Sequence, residues 1–180
     1  MKIWLMAVLC SFIFTLPVSA HPHVFITPKA TIVTGNHAVS QINVEWDFDD
    51  MSSALFKESG GSDSAAIWNL VFPQMQLLVN GSQAPRSGYY TYLEIDGKPY
   101  PNLMPAYFQT TFVDGILQCR FTLFINQPIN HSVTLWFDDP TIYNQFDMYP
   151  GNFQIDNQGA QPVSLEQRSE SGIDKIYVSF

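Results

Sequence analysis

Two Asp-Gly pairs, Asp96-Gly97 and Asp114-Gly115, interrupt stretches rich in β-branched and aromatic residues. Asp-Gly is a favoured two-residue hairpin turn because it tolerates positive φ, so each pair predicts two antiparallel strands joined tightly. The remaining strand-like runs extend the pattern: 24–33, 39–48, 89–95, 107–113, 116–125, 132–137 and 173–180. A third hairpin is expected around Ser169 to Gly172, pairing Val163 to Glu166 with Lys175 to Val178.

One segment departs from strand periodicity. Ile67, Leu70, Val71, Met75 and Leu78 recur at helical spacing, with Ser62 or Asp63 able to cap the start and Asn80-Gly81 to end it. Pro73 should kink or divide that helix. A shorter helix is compatible with Met51 to Gly61, ahead of which Asp49 or Asp50 is placed to cap. The expected fold class is therefore α+β: mainly antiparallel β with a sandwich-like core and one helical excursion near residues 64–80. The local pattern does not give the strand order.

At the amino terminus a positive start, Met1-Lys2, precedes an apolar run from Ile3 to Val18 and the small residues Ser19-Ala20. This is the pattern of a cleavable secretion signal, with Val18 and Ala20 at −3 and −1 of the cut. The run is short for a bilayer span of ~20 residues and Pro17 interrupts its end. The expectation is a signal over residues 1–20 and a single β-rich periplasmic domain over 21–180. Removing Cys10 leaves only Cys119, so no intramolecular disulfide and no tetrathiolate zinc site can form. Cys119 lies in an apolar strand-like run, where a buried structural thiol is the ordinary case. Stability then rests on core burial, for which 14 Phe, 8 Tyr and 4 Trp supply apolar area.

Cleavage after Ala20 would make His21 the mature terminus, in the sequence His21-Pro22-His23. The α-amine and two imidazoles are three nitrogen donors suited to Zn²⁺ or Cu²⁺. Pro22 lacks the amide that a four-nitrogen square-planar terminal site would deprotonate, which disfavours that geometry. Carboxylates that could complete a site occur in Glu45-Trp46-Asp47-Phe48-Asp49-Asp50, which if extended presents Glu45, Asp47 and Asp49 on one face. A second acidic pair precedes a proline in Asp138-Asp139-Pro140, a common turn opening. The competing reading makes both acid groups structural, as a strand face, a helix cap and a turn. His37 and His131 follow asparagines in turn-like contexts and read as loop residues.

The formal net charge is −8, which argues against nucleic acid and anionic membrane surfaces. Gly-x-Ser-x-Gly, His-Glu-x-x-His and a phosphate-cradling glycine loop are all missing, so no hydrolytic motif is present.

Three stretches resemble a bacterial exported family of uncharacterised proteins labelled as the periplasmic component of an ABC-type transport system. They are His21-Pro22-His23-Val24-Phe25-Ile26, Trp46-Asp47-Phe48-Asp49 followed by Ser52 or Ser53, and Asp139-Pro140 followed by Tyr143 and Phe146. Tyr90 to Leu93 and the Asp114-Gly115 hairpin fall between them in the expected order. The resemblance implies pairing with a nickel/cobalt-exporter-like inner-membrane metal permease, a link to zinc acquisition, and His21, His23, Asp47, Asp49 and Asp139 as metal positions. The chain departs from the family between Phe56 and Ala66, where few carboxylates remain and a calcium loop is not expected. It also lacks a histidine-rich tract. Two other readings stand beside the non-enzymatic zinc carrier. One is a copper protein with an amino-terminal histidine brace, completed by His131 if the fold brings it near. The other is a docking module that uses aromatics such as Trp68, Tyr89 or Tyr149.

Overall fold

A computed structural model describes residues 24–35, 38–71, 78–79, 82–83, 90–100, 103–129, 131–140, 142–160 and 162–180. Along the chain the strands are β1 (Val24–Gly35), β2 (Ala38–Phe48), β3 (Leu78–Val79), β4 (Ser82–Gln83), β5 (Thr91–Ile95), β6 (Lys98–Pro99) and β7 (Met104–Val113). They continue as β8 (Ile116–Pro128), β9 (Ser132–Phe137), β10 (Asn144–Phe146), β11 (Phe153–Asn157), β12 (Ser164–Glu170) and β13 (Ile173–Ser179). Two helices, α1 (Asp50–Gly60) and α2 (Ser64–Val71), follow β2.

The strands form two main sheets. In the larger, the order is β10-β1-β2-β8-β7, with β11 continuing the β10 edge along β1. The smaller has the order β12-β13-β9-β5-β6. Alternation makes β1 and β2 two-faced: Ile26, Ala30 and Ile32 on β1 and Ile42, Val44, Trp46 and Phe48 on β2 are buried. They join Leu93, Val133, Leu135, Ile176 and Val178 of the smaller sheet in one apolar core, which gives the sandwich-like architecture. Trp46 is fully buried at its centre, edge-on to Phe121 and Phe146 at 5.3 Å and to Phe137 at 6.4 Å.

All three expected hairpins form. Asp96 and Gly97 have φ of 50° and 73°, and Asp114 and Gly115 have 52° and 90°, the paired positive values that match the twist of the flanking strands. The third turn falls at Ser171-Gly172, with Leu165 opposite Val178 and Glu166 opposite Tyr177.

The helical region and one sheet edge differ from expectation. Among the described residues there are two α-helices: α1 is the shorter helix expected over Met51 to Gly61, α2 opens the expected excursion, and Leu78, expected in that helix, lies in β3. The second helix ends at Val71; residues 72–77, with Pro73 and Met75, lie outside the described residues, as do Asn80 and Gly81. Asp63 does cap α2, its Oδ1 accepting from the Ala65 N–H at 2.9 Å. The sheet is also not wholly antiparallel, because β10 and β11 both pair with β1 in parallel. Neither has a strong strand signal of its own; both are specified by the long edge of β1.

Helix α1 is weakly amphipathic and is fixed by polar contacts. Ser53 is fully buried; its hydroxyl accepts from the Leu117 N–H at 2.9 Å and donates to the Phe48 carbonyl at 3.3 Å, tying the helix to β8 and β2. Ser53→Ala would leave the buried Leu117 N–H without this partner, and we expect a loss of about 1–3 kcal/mol in unfolding free energy, measurable by urea denaturation.

Candidate functional site

Strand β1 starts at Val24, and three contacts hold that end. Val24 donates to the Tyr143 carbonyl at 3.2 Å, and its register partner on β10 is Asn144. Asn144 is itself buried against Asp139, whose Oδ2 accepts from the Asn144 N–H at 3.0 Å and Nδ2 at 2.8 Å. On the other side, Phe25 donates to Asp49 Oδ2 at 2.8 Å while Asp49 N–H donates to the Phe25 carbonyl at 3.0 Å.

Asp49 works as a junction because β2 ends at Phe48. Its backbone carbonyl accepts the first helical bond of α1, from Ser53 at 2.9 Å. Its side chain replaces that carbonyl in the ladder to β1 through Oδ2, and its Oδ1 caps the Ser52 N–H at 2.8 Å. The Ser52 hydroxyl adds a further bond to Oδ2. Partial burial alone pushes the Asp49 carboxyl up, but these donors from Ser52 and Phe25 outweigh it and hold the group below its ordinary value of 3.8.

Asp47 faces a different environment. Glu45 and Asp47 do share the outer face of β2, as the alternation predicts, but Asp49 has left the row. Lys29, opposite Glu45 on β1, reaches Glu45 Oε1 at 2.8 Å and Asp47 Oδ2 at 2.6 Å. Arg120, opposite Glu45 on β8, closes on its other oxygen. Asp47 Oδ1 is buried and has no hydrogen-bond partner among the described residues. Desolvation raises the Glu45 carboxyl, and the two cations more than reverse this, so its net shift is downward.

His21 and His23 lie outside the described residues, as do His37 and Tyr89. Among the described residues, no group of three His, Cys, Asp or Glu is placed to hold a metal ion. The fold brings Asp49 and Asp139 to the start of β1 and leaves Asp47 further along the outer face, opposite Thr27. His131 precedes β9, at the end of that strand remote from Asp138 and Asp139. Six strand residues span about 20 Å, so His131 is not brought to the Asp139 loop that holds β1.

Two depressions border the start of β1. One, of about 490 Å³, is lined by Asp138, Asp139, Asn144, Met148 and Asp174. The other, of about 240 Å³, is apolar, formed by Val24, Met51, Leu55, Phe56, Leu70 and Tyr143. Trp68 is stacked on Phe108 at 4.2 Å, whereas Tyr149 is exposed. Cys119 is fully buried, and burial pushes its thiol up to about 12, which makes it chemically inert near neutrality.

Sequence reasoning did not find Asn144, Lys29 or the bonding role of Ser53. Lys29 was findable, since a lone cation in a strand opposite a carboxylate row is a cross-strand pairing signal. Asn144 was not, because its role exists only through the parallel β10 contact.

Residues 6–168 match the family described as Protein of unknown function (DUF1007). The chain belongs to that family. The match spans the β1 start, the β2–α1 junction and the Asp139 loop together. A comparison with curated proteins gives no match.

The Asp49 contacts give a pH signature. Because its folded pKa lies below 3.8, its contribution is complete above that value and is lost as pH falls through the folded value. Asp49→Ala is expected to cost about 2 kcal/mol near neutral pH and to reduce the loss of stability below about pH 4, as followed by denaturation at stepped pH.

Proposed function

We propose that this protein is exported to the periplasm, binds a divalent metal ion, zinc first among the candidates, and assists its transport by an inner-membrane permease without catalysing a reaction. Residues 1–20 supply the export signal in this reading, and His21 and His23 supply the principal ligands.

The observation that carries the reading is the double anchoring of the start of β1 by Asp49 and by the Asp139–Asn144 pair. His23 is bonded to Val24, so chain connectivity alone keeps His21 and His23 within about 11 Å of that anchored end. A short histidine segment tied to a fixed strand end loses less freedom on ligation than one at the end of a long tail. The two acids then act chiefly as frame, since their hydrogen bonds hold protein groups. The acidic lining of the neighbouring depression, Asp138, Asp139 and Asp174, favours approach of a cation.

The family-level resemblance to permease-paired exported proteins supports the transport role, and the acidic net charge is consistent with a cation as cargo. Few ligands at a chain terminus suit exchange with a partner better than long-term storage.

The test is competition with a chelator of known affinity, using protein that begins at His21 with no upstream tag. Zinc binding at or below about 1 μM is expected, falling by roughly tenfold or more per pH unit below about 6.5 as the imidazoles protonate. The His21→Ala, His23→Ala double variant should lose it while keeping the same unfolding transition in the absence of metal. A preference for copper with a three-nitrogen spectrum would replace zinc by the copper reading. Equal zinc affinity in the double variant would remove the histidines from the site.

A further inference from the structure

The outer face of the larger sheet holds a polar cleft that the metal reading does not use. Its volume is about 510 Å³, within the ~300–1,000 Å³ of small-ligand sites. Two cross-strand rows make its floor. One is Lys29, Glu45, Arg120 and Gln109, adjacent in register across β1, β2, β8 and β7; the other is Gln154, Thr31, Asn43 and Thr122 across β11, β1, β2 and β8. The turn containing Gly151 and Asn152 borders one side, and Tyr107 borders the other.

Tyr107 is the unusual wall. The register of β7 against β8 slips between Ala106 and Gln109, and Tyr107 within that bulge has φ of 58°. A bulky residue in the left-handed region is costly, and bulges of this kind re-aim side chains. Here the tyrosine is left 72% exposed, edge-on to Phe124 at 5.6 Å. An exposed aromatic ring thus borders a floor of amides, hydroxyls and ion-paired side chains.

We propose that this cleft binds an oligosaccharide, with Tyr107 stacking against the apolar face of one ring and the floor hydrogen-bonding its hydroxyls. The side chains of Thr31, Gln109, Asn152 and Gln154 make no hydrogen bond among the described residues, and the Asn43 side-chain carbonyl oxygen already accepts from Thr122 and Gln41. The Asn43 amide N–H groups have no acceptor among the described residues and are left as donors for a ligand. Neighbouring amide and hydroxyl groups match the paired donor and acceptor character of sugar hydroxyls.

The remaining chemistry narrows the class. Glu45 in the floor, flanked by Lys29 and Arg120, already neutralises much of the local positive charge, which disfavours a polyanion. The central floor strands β1, β2 and β8 pair with neighbours on both sides, so a peptide could add a strand only at the outer strands β7 or β11, beside the cleft and not across its floor. An apolar ligand would leave the amides desolvated without partners.

The site is independent of the histidine terminus, and its test can be made on protein beginning at His21, which contains every described residue. Chitotetraose, cellotetraose and maltotetraose are titrated separately into the ¹⁵N-labelled protein. Saturable shifts are expected with at least one, centred on Thr31, Asn43, Tyr107, Gln109 and Asn152. Tyr107→Ala should weaken that binding by about tenfold or more with an unchanged melting temperature, and Asn43→Ala should weaken it too. No saturable shift with any of the three sugars up to about 10 mM, shifts confined elsewhere, or full affinity in Tyr107→Ala would each overturn the proposal.

Discussion

The carboxylate of Asp49 lets a strand become a helix without breaking the sheet. A β2 residue at this position would normally offer its backbone carbonyl to β1, but that carbonyl already accepts from Ser53 to begin α1. The side chain takes over the ladder bond to Phe25 and caps Ser52 at the same time. One residue thus satisfies groups in β1, β2 and α1. The next turn of the helix is tied to β8 by Ser53. If the junction were lost, the first strand, both helices and their contacts with the sheet would all lose their common reference point.

The motif Trp46-Asp47-Phe48-Asp49 followed by Ser52 and Ser53 acquires a physical meaning from this. Trp46 and Phe48 belong to the core, Asp47 to a salt-bridged outer face, and Asp49 to the junction. Two aspartates that look equivalent in an alternating sequence therefore have two environments. Asp139 adds a third, buried and bonded to the asparagine that pairs with Val24.

Hairpins were legible because their information is local: Asp96-Gly97, Asp114-Gly115 and Ser171-Gly172 carry the turn geometry in the dipeptide itself. The burial of alternate residues on β1 and β2 was legible for the same reason. What could not be read depends on distant partners. Asn144 to Phe146 is a three-residue strand with no periodicity to detect, and its pairing is specified by β1 more than a hundred positions earlier. The bulge at Tyr107 was hidden too, since aromatic neighbours satisfy a strand pattern whether or not the register slips. Helix α1 was only half visible, because its inward face includes the hydroxyls of Ser52 and Ser53 as well as Phe56. For the candidate site, the acids and the capping role of Asp49 were found, but its bond to Phe25 and the contact of Asp139 with Asn144 were not: the first joins distant segments of chain, and the second depends on the turn that leads into β10.

The parallel edge of β1 has a consequence for the order in which the protein assembles. Thr34 meets Asn157 across 123 residues of chain, and the whole outer side of β1 is completed only by β10 and β11. Closing so large a loop is entropically costly, so this edge is expected to form after the local hairpins have set. Until then the first strand made during synthesis presents unpaired N–H and C=O groups along its length, a template for wrong partners. A chain emerging amino terminus first would therefore gain from a chaperone that shields β1 until residue 157 has followed it.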